Sequence, residues 1–319
     1  LWQWSTTDLD AFWQSIWDYF GLQSSTPYSA VCDRSAKVDG ISRMIDVKWF
    51  TGATGNYAQQ VFRHVDAADS AGFPAIISHN EKTLGKQAAK EMTWPQLKQQ
   101  VASLALHLQA QGVQPGDRVA AYLPNIPEAM VAFLATVSIG GVWSICAPDM
   151  GTNAVLDRFK QIEPKVLIAC DGVTFGGKDF DRLAVVAELC AALPSVQHVV
   201  LQDNLGTLQP FIETTSNTQN AINTIATQAY FTLATGQNDT ETAAFKPLWL
   251  PFDHPLCIVY SSGTTGLPKP IVHSHGGIVI VALASKVLHN DVGCSYAPNT
   301  YGERFHWYSS TGWVMWNAQ

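Results

Sequence analysis

The chain of 319 residues carries 19 Lys and Arg against 26 Asp and Glu, a formal net charge of −7, with 47 % hydrophobic and 14 % charged residues. This balance furnishes a large core and excludes a disordered chain, and the acidic charge, with no basic cluster along the sequence, argues against nucleic acid as a partner. The length exceeds that at which a single hydrophobic core usually stops growing, so two units are expected.

The apolar stretches at residues 129–139 and 278–284 are too short to span a bilayer, which takes about 20 residues. The sequence opens on Leu1-Trp2 without a basic segment, so no signal peptide is expected. Cys32, Cys146, Cys170, Cys190, Cys257 and Cys294 form no C-x-x-C pair and mostly sit in apolar surroundings. They read as buried reduced thiols with no metal site, in a cytoplasmic protein.

In chain order, Leu9, Phe12, Trp13, Ile16, Trp17 and Phe20 predict an amphipathic helix over residues 8–20, capped by Thr6 or Thr7 and ended by Gly21. Residues 23–65 are loop-rich, with Lys48-Trp49-Phe50-Thr51-Gly52-Ala53 the clearest fragment. From Pro74 onward short β-type runs alternate with helices. Ala75-Ile76-Ile77 is a strand candidate, and Thr93 caps a helix whose core face is Leu97, Val101, Leu104, Ala105 and Leu108. Strands are predicted at 118–123, 142–146, 165–169 and 197–201. Between them fall a helix opened by Pro127, one carrying Val155, Leu156, Phe159 and Ile162, and one over 180–192.

This alternation predicts an α/β fold of mostly parallel sheets flanked by helices, in which ligands bind beyond the carboxyl ends of strands. Residues 203–246, rich in Asn, Gln and Thr, break the rhythm and read as a polar surface excursion.

The apolar run Leu256-Cys257-Ile258-Val259-Tyr260 reads as a buried strand and leads into Ser261-Ser262-Gly263-Thr264-Thr265-Gly266-Leu267-Pro268-Lys269. Gly263 and Gly266 allow positive φ and close approach of backbone N–H groups to an anion. Ser261, Ser262, Thr264 and Thr265 add hydroxyl donors, and Lys269 adds a point positive charge. The stretch reads as a phosphate-handling loop. It is not a Walker A sequence, because Leu267-Pro268 separate the second glycine from the lysine, so a P-loop kinase or ATPase is not expected. His273 and His275 suit a metal pair in spacing, but neither a carboxylate nor a cysteine follows at ligand distance, which favours packing and hydrogen bonding.

With Ile271-Val272-His273-Ser274-His275-Gly276-Gly277 behind it, the loop resembles the signature of the adenylate-forming superfamily, which includes acyl-CoA synthetases, adenylation domains and luciferases. Four stretches resemble the acetoacetyl-CoA synthetase family in particular: Leu1-Trp2-Gln3-Trp4-Ser5, Pro251-Phe252-Asp253-His254-Pro255-Leu256, the loop itself, and Gly302-Glu303-Arg304-Phe305-His306-Trp307 running into Thr311-Gly312-Trp313-Val314-Met315-Trp316-Asn317.

The resemblance implies an N-terminal wrap over residues 1–73, a first α/β subdomain over 74–202, the polar excursion over 203–247 and the start of a second α/β subdomain over 248–319. It also implies ligation of acetoacetate to CoA through an acyl-adenylate, with ATP, Mg2+ and CoA as ligands. In that chemistry Lys269, Thr264 and Thr265 serve catalysis, and Ser261, Ser262, Gly263 and Gly266 join them on the phosphates. Gly312, Trp313, Val314 and Met315 form the acyl wall, and Gly151 and Lys178 approach CoA, although Lys178 beside Gly176-Gly177 reads equally as a solvated lysine. Acetate or propionate, and a non-catalytic nucleotide-binding module, are the alternative readings. The sequence contains neither the family's adenine and magnesium block nor its ribose block, nor its mobile C-terminal domain. It is therefore expected to be the front part of such an enzyme.

Overall fold

The computed structural model describes residues 1–36, 40, 43–208, 227–230, 239–261, 266–292 and 304–318. Seven of the described strands form one sheet: β1 (Arg118–Tyr122), β2 (Val142–Cys146), β3 (Val166–Cys170), β4 (His198–Gln202), β5 (Thr227–Tyr230), β6 (Pro255–Ser261) and β7 (Lys269–Ser274), in the spatial order β5-β4-β3-β1-β2-β6-β7. The first six run parallel, and β7 returns antiparallel to β6 at the edge.

Helices cover both faces, which is why the central strands read as nearly continuous apolar runs. On one face α1 (Trp94–Ala110) and α2 (Pro127–Ser138) pack against Val119, Ala121, Trp143, Ile145, Val166 and Ile168. On the other, α3 (Thr152–Ile162) and α4 (Leu183–Ala192) pack against Ala120, Tyr122, Cys146, Leu167, Ala169 and Leu201. Alternate residues of β1 and β3 thus serve opposite cores, and each fully buried Val, Leu or Ile contributes about 1.5–3 kcal/mol. The predicted α/β class and mostly parallel sheet match the observed architecture. The strand before the candidate phosphate loop hydrogen-bonds to β2 and so extends the same sheet as residues 118–202.

Several local expectations are corrected. The helix expected over residues 8–20 is observed as Leu9–Phe20, preceded by a short helix Trp2–Thr7, but its cap is the Asp8 carboxylate, which accepts from the Ala11 N–H at 3.1 Å. The Thr6 and Thr7 hydroxyls instead bond back to the Gln3 carbonyl, while Gly21 ends the helix at φ 53° as expected. The helix expected over 180–192 starts only at Leu183. Gly176 and Gly177, both at positive φ, close a two-residue turn that folds Gly172–Phe175 against Lys178–Asp181, so Phe180 lies in a strand. Ile76–Ser78 pairs with Lys90–Met92 in a separate two-stranded sheet. The polar excursion lies largely outside the described residues.

The N-terminal segment is tied on by an aromatic core. Trp17 stacks on Phe50 with ring centroids 4.7 Å apart, Phe252 lies 5.0 Å from Phe50, and α5 (His275–Leu283) adds Ile280. The Asn56 amide donates to the carbonyls of Val137, Ser138 and Leu248, joining this segment to the end of α2.

Candidate functional site

The chain leaves β1 for α2 on one face and leaves β2 for α3 on the other, which opens a crevice of the kind where doubly wound sheets bind ligands. Residues 311–317 dock at this crevice. The buried Thr311 hydroxyl donates to the Leu123 carbonyl at 2.8 Å, and the Trp316 indole N–H donates to Asn125 Oδ1 at 3.0 Å.

Gly312 lies over the end of β2. A Cβ built there would lie 3.5 Å from Met150 Sδ, 3.6 Å from the Ala147 nitrogen and 3.7 Å from Cys146 Cα. Trp313, Val314 and Met315 are exposed. Met315 lines a cavity of about 230 Å³ with Trp316, Asn317, Asn125, Phe133 and Tyr57, whereas Gly312, Trp313 and Val314 lie outside its lining.

The candidate phosphate loop begins one strand spacing beyond β2. Ser261 ends β6, Lys269 begins β7, and the two are direct cross-strand partners. Gly266 and Lys269 are exposed; Ser262, Gly263, Thr264 and Thr265 lie outside the described residues. Both flanks of the loop are anchored. Gln161 Nε2 donates to the Pro268 carbonyl at 2.8 Å. The Tyr260 hydroxyl donates to the Arg158 carbonyl at 3.2 Å, and the Ser144 hydroxyl donates to the Ile258 carbonyl at 3.0 Å. Burial holds the Tyr260 phenol well above its ordinary pKa, so it stays neutral and keeps its donor.

Gly151 caps the amino end of α3. The turn before it is held from two sides, by the Tyr122 hydroxyl shared between the Pro148 and Met150 carbonyls and by Arg182 Nε donating to the Pro148 carbonyl at 2.7 Å. Burial pushes Tyr122 up to about 12. Lys178 is exposed on the hairpin after β3, whose turn N–H groups at Gly176 and Gly177 donate to the Glu81 carboxylate. The candidates for phosphate, acyl group and CoA therefore all follow carboxyl ends of parallel strands, on β6, at β1–β2, and after β2 and β3.

The two histidines part company. His273 ends up half-buried in β7 and His275 opens α5, fully buried, its Nδ1 accepting the Tyr57 backbone N–H at 3.0 Å. Burial, with a smaller push from His254, drives the His275 pKa down to about 3. Among the described residues no group of three or more His, Cys, Asp or Glu could hold a metal ion, and no helix is long and apolar enough to cross a membrane.

Sequence reading missed Tyr57, Asn125 and Asn317 at the cavity, and Tyr122 and Arg182 beneath the Gly151 turn. What places them at the site is packing between elements far apart in the chain, which no local pattern marks.

Residues 64–316 match the AMP-binding enzyme family model, and residues 1–61 match that of the acetyl-coenzyme A synthetase N-terminus. The chain is 34 % identical to acetoacetyl-CoA synthetase of Danio rerio over 99 % of its own length and 43 % of the relative's. It is 33 % identical to a malonamoyl-CoA synthetase of Penicillium aethiopicum over 99 % of its length and 41 % of the relative's. A solved structure of acetoacetyl-CoA synthetase from Streptomyces lividans superposes with a TM-score of 0.82 at 42 % identity, covering 99 % of this chain and 43 % of that one. The chain thus spans less than half the length of these relatives. The match over residues 64–316 makes this chain a member of the AMP-binding enzyme family.

Proposed function

We propose that this chain forms the phosphate-holding front part of an enzyme that ligates acetoacetate to CoA at the expense of ATP. The carboxylate attacks the α-phosphorus of Mg-ATP, giving acyl-adenylate and pyrophosphate, and the CoA thiol then displaces AMP. Residues 261–269 supply positioning and charge neutralisation, with Ser261, Ser262, Gly263, Thr264, Thr265, Gly266 and Lys269 toward the β and γ phosphates, and no protein nucleophile is required. Gly312, Trp313, Val314 and Met315 bound the acyl group, and Gly151 and Lys178 lie toward CoA.

The observation that carries this reading is the adjacency of the phosphate loop, on β6, to the crevice at β1 and β2 where residues 311–317 dock. Adjacent strands are about 4.8 Å apart, so a carboxylate at the crevice lies within reach of a nucleotide held by the loop. The relatives support the acid: the acetoacetyl and malonamoyl groups in their names both carry a carbonyl at the β-carbon.

The test is exchange of labelled pyrophosphate into ATP by the full-length protein that contains this sequence, with acetoacetate, acetate, propionate and butyrate. Exchange that is fastest with acetoacetate supports the reading. Preference for acetate or propionate assigns a different short acid, and absence of exchange with every acid, from folded protein that binds ATP, makes it a nucleotide-binding module.

A further inference from the structure

We infer that the cavity beside Met315, beyond Gly312, Trp313 and Val314, takes the ketone end of the acyl group and that the Tyr57 phenol, contributed by the N-terminal segment, is the donor that recognises the β-carbonyl of the acid. This rests on the ligase reading above and adds to it the determinant of substrate choice. An apolar wall separates acids differing by one methylene by only about 10–200-fold and cannot tell a ketone from a methylene, so selection of a β-keto acid requires a hydrogen-bond donor facing that carbon.

Size and position suit the assignment. At about 230 Å³ the cavity falls below the roughly 300–1,000 Å³ typical for drug-sized ligands, as a four-carbon acid demands. It adjoins the carboxyl end of β1, since Asn125 follows that strand and Trp316 is bonded to it. From there to the end of β6 is two strand spacings, about 10 Å, so an acid with its methyl end in the chamber directs its carboxylate toward the phosphate loop.

Of the other donors that line the cavity, the Asn125 amide, the His306 imidazole and the Trp307 indole all belong to solvent-exposed residues. The Asn317 amide nitrogen is committed to the Trp313 carbonyl at 3.0 Å, and its Oδ1 is buried without a partner among the described residues, an acceptor that cannot serve a ketone. The Asn125 oxygen is taken by the Trp316 indole, and Asn125 itself sits at the exposed rim.

Tyr57 is fixed at both ends. Its backbone N–H is held by His275 Nδ1 at 3.0 Å, and its ring packs against Phe133 with centroids 5.4 Å apart. The phenol is therefore pre-positioned, and only one side-chain torsion, that of its hydroxyl, remains to be set by substrate. Burial raises its pKa to about 12, so it carries its proton throughout the physiological range.

The test compares Tyr57→Phe with wild type in the full-length protein, measuring kcat/KM by pyrophosphate exchange for acetoacetate and for butyrate, which has the same carbon count with a methylene in place of the ketone. The expected result is a fall of about tenfold to a hundredfold for acetoacetate with butyrate unchanged, so that the ratio collapses. Because the ring is retained, butyrate activity also reports that the variant is folded. A ratio equal to that of wild type, or a parallel loss for both acids, overturns the assignment of Tyr57 while leaving the ligase reading in place. A wild-type protein that does not activate acetoacetate overturns both.

Discussion

The Thr311 hydroxyl donates to the carbonyl of Leu123, 188 positions earlier, at 2.8 Å, and both residues are fully buried. Leu123 is the first residue past β1, where the sheet no longer supplies a partner for its carbonyl. The bond therefore fixes the height at which residues 312–317 cross the strand ends.

Thr311→Val keeps the shape of the side chain and removes the donor. It leaves a buried carbonyl unsatisfied, at a cost of about 1–3 kcal/mol. The urea midpoint should fall accordingly with an unchanged m-value, and KM for the acid should rise more than KM for ATP, because the displaced segment borders the proposed acyl space and not the proposed phosphate loop. Equal changes in both KM values would mean that Thr311 only holds the fold.

His275 makes stability depend on pH. Its folded pKa of about 3 lies below the unfolded value near 6.5, so between those limits the unfolded chain binds more protons and stability rises with pH. The contribution is complete above about pH 6.5 and is lost as pH falls toward 3, by up to about 1.4 kcal/mol per unit. His64, His107, His198 and His273 are shifted in the same direction, so the readout is the difference between wild type and His275→Gln. Urea midpoints between pH 7 and pH 4.5 should fall more steeply in wild type. Parallel slopes in the two proteins would remove His275 as the source.

The parallel sheet was legible because each central strand is buried on both faces and each intervening helix carries its own period, as in Leu97, Val101, Leu104 and Leu108. The candidate phosphate loop stands out in the sequence because its donors are nearly consecutive, and Ser262, Gly263, Thr264 and Thr265 lie outside the described residues. Phe180 was misread because its apolar neighbours fit a helical period, while the Gly176-Gly177 turn that decides the matter draws its strength from pairing across the hairpin. Tyr57 was invisible for a different reason. What gives it meaning is the approach of Phe133, Met315 and His275, and no local pattern encodes contacts over such separations.

Lys269 opens the edge strand β7 with its side chain exposed, opposite Ser261 across the mouth of the loop. An exposed lysine contributes little to folding, so Lys269→Ala should move stability by no more than about 0.5 kcal/mol. A point charge on a transferring nucleotide acts on the reaction instead: kcat/KM for Mg-ATP should drop by about tenfold to a hundredfold, with KM for the acid unaltered. Lys269→Arg should restore part of the loss, since it keeps the charge but changes its reach. Pyrophosphate exchange at saturating acid and varied Mg-ATP separates these quantities, and unchanged kinetics in the alanine variant would take Lys269 out of the phosphate site.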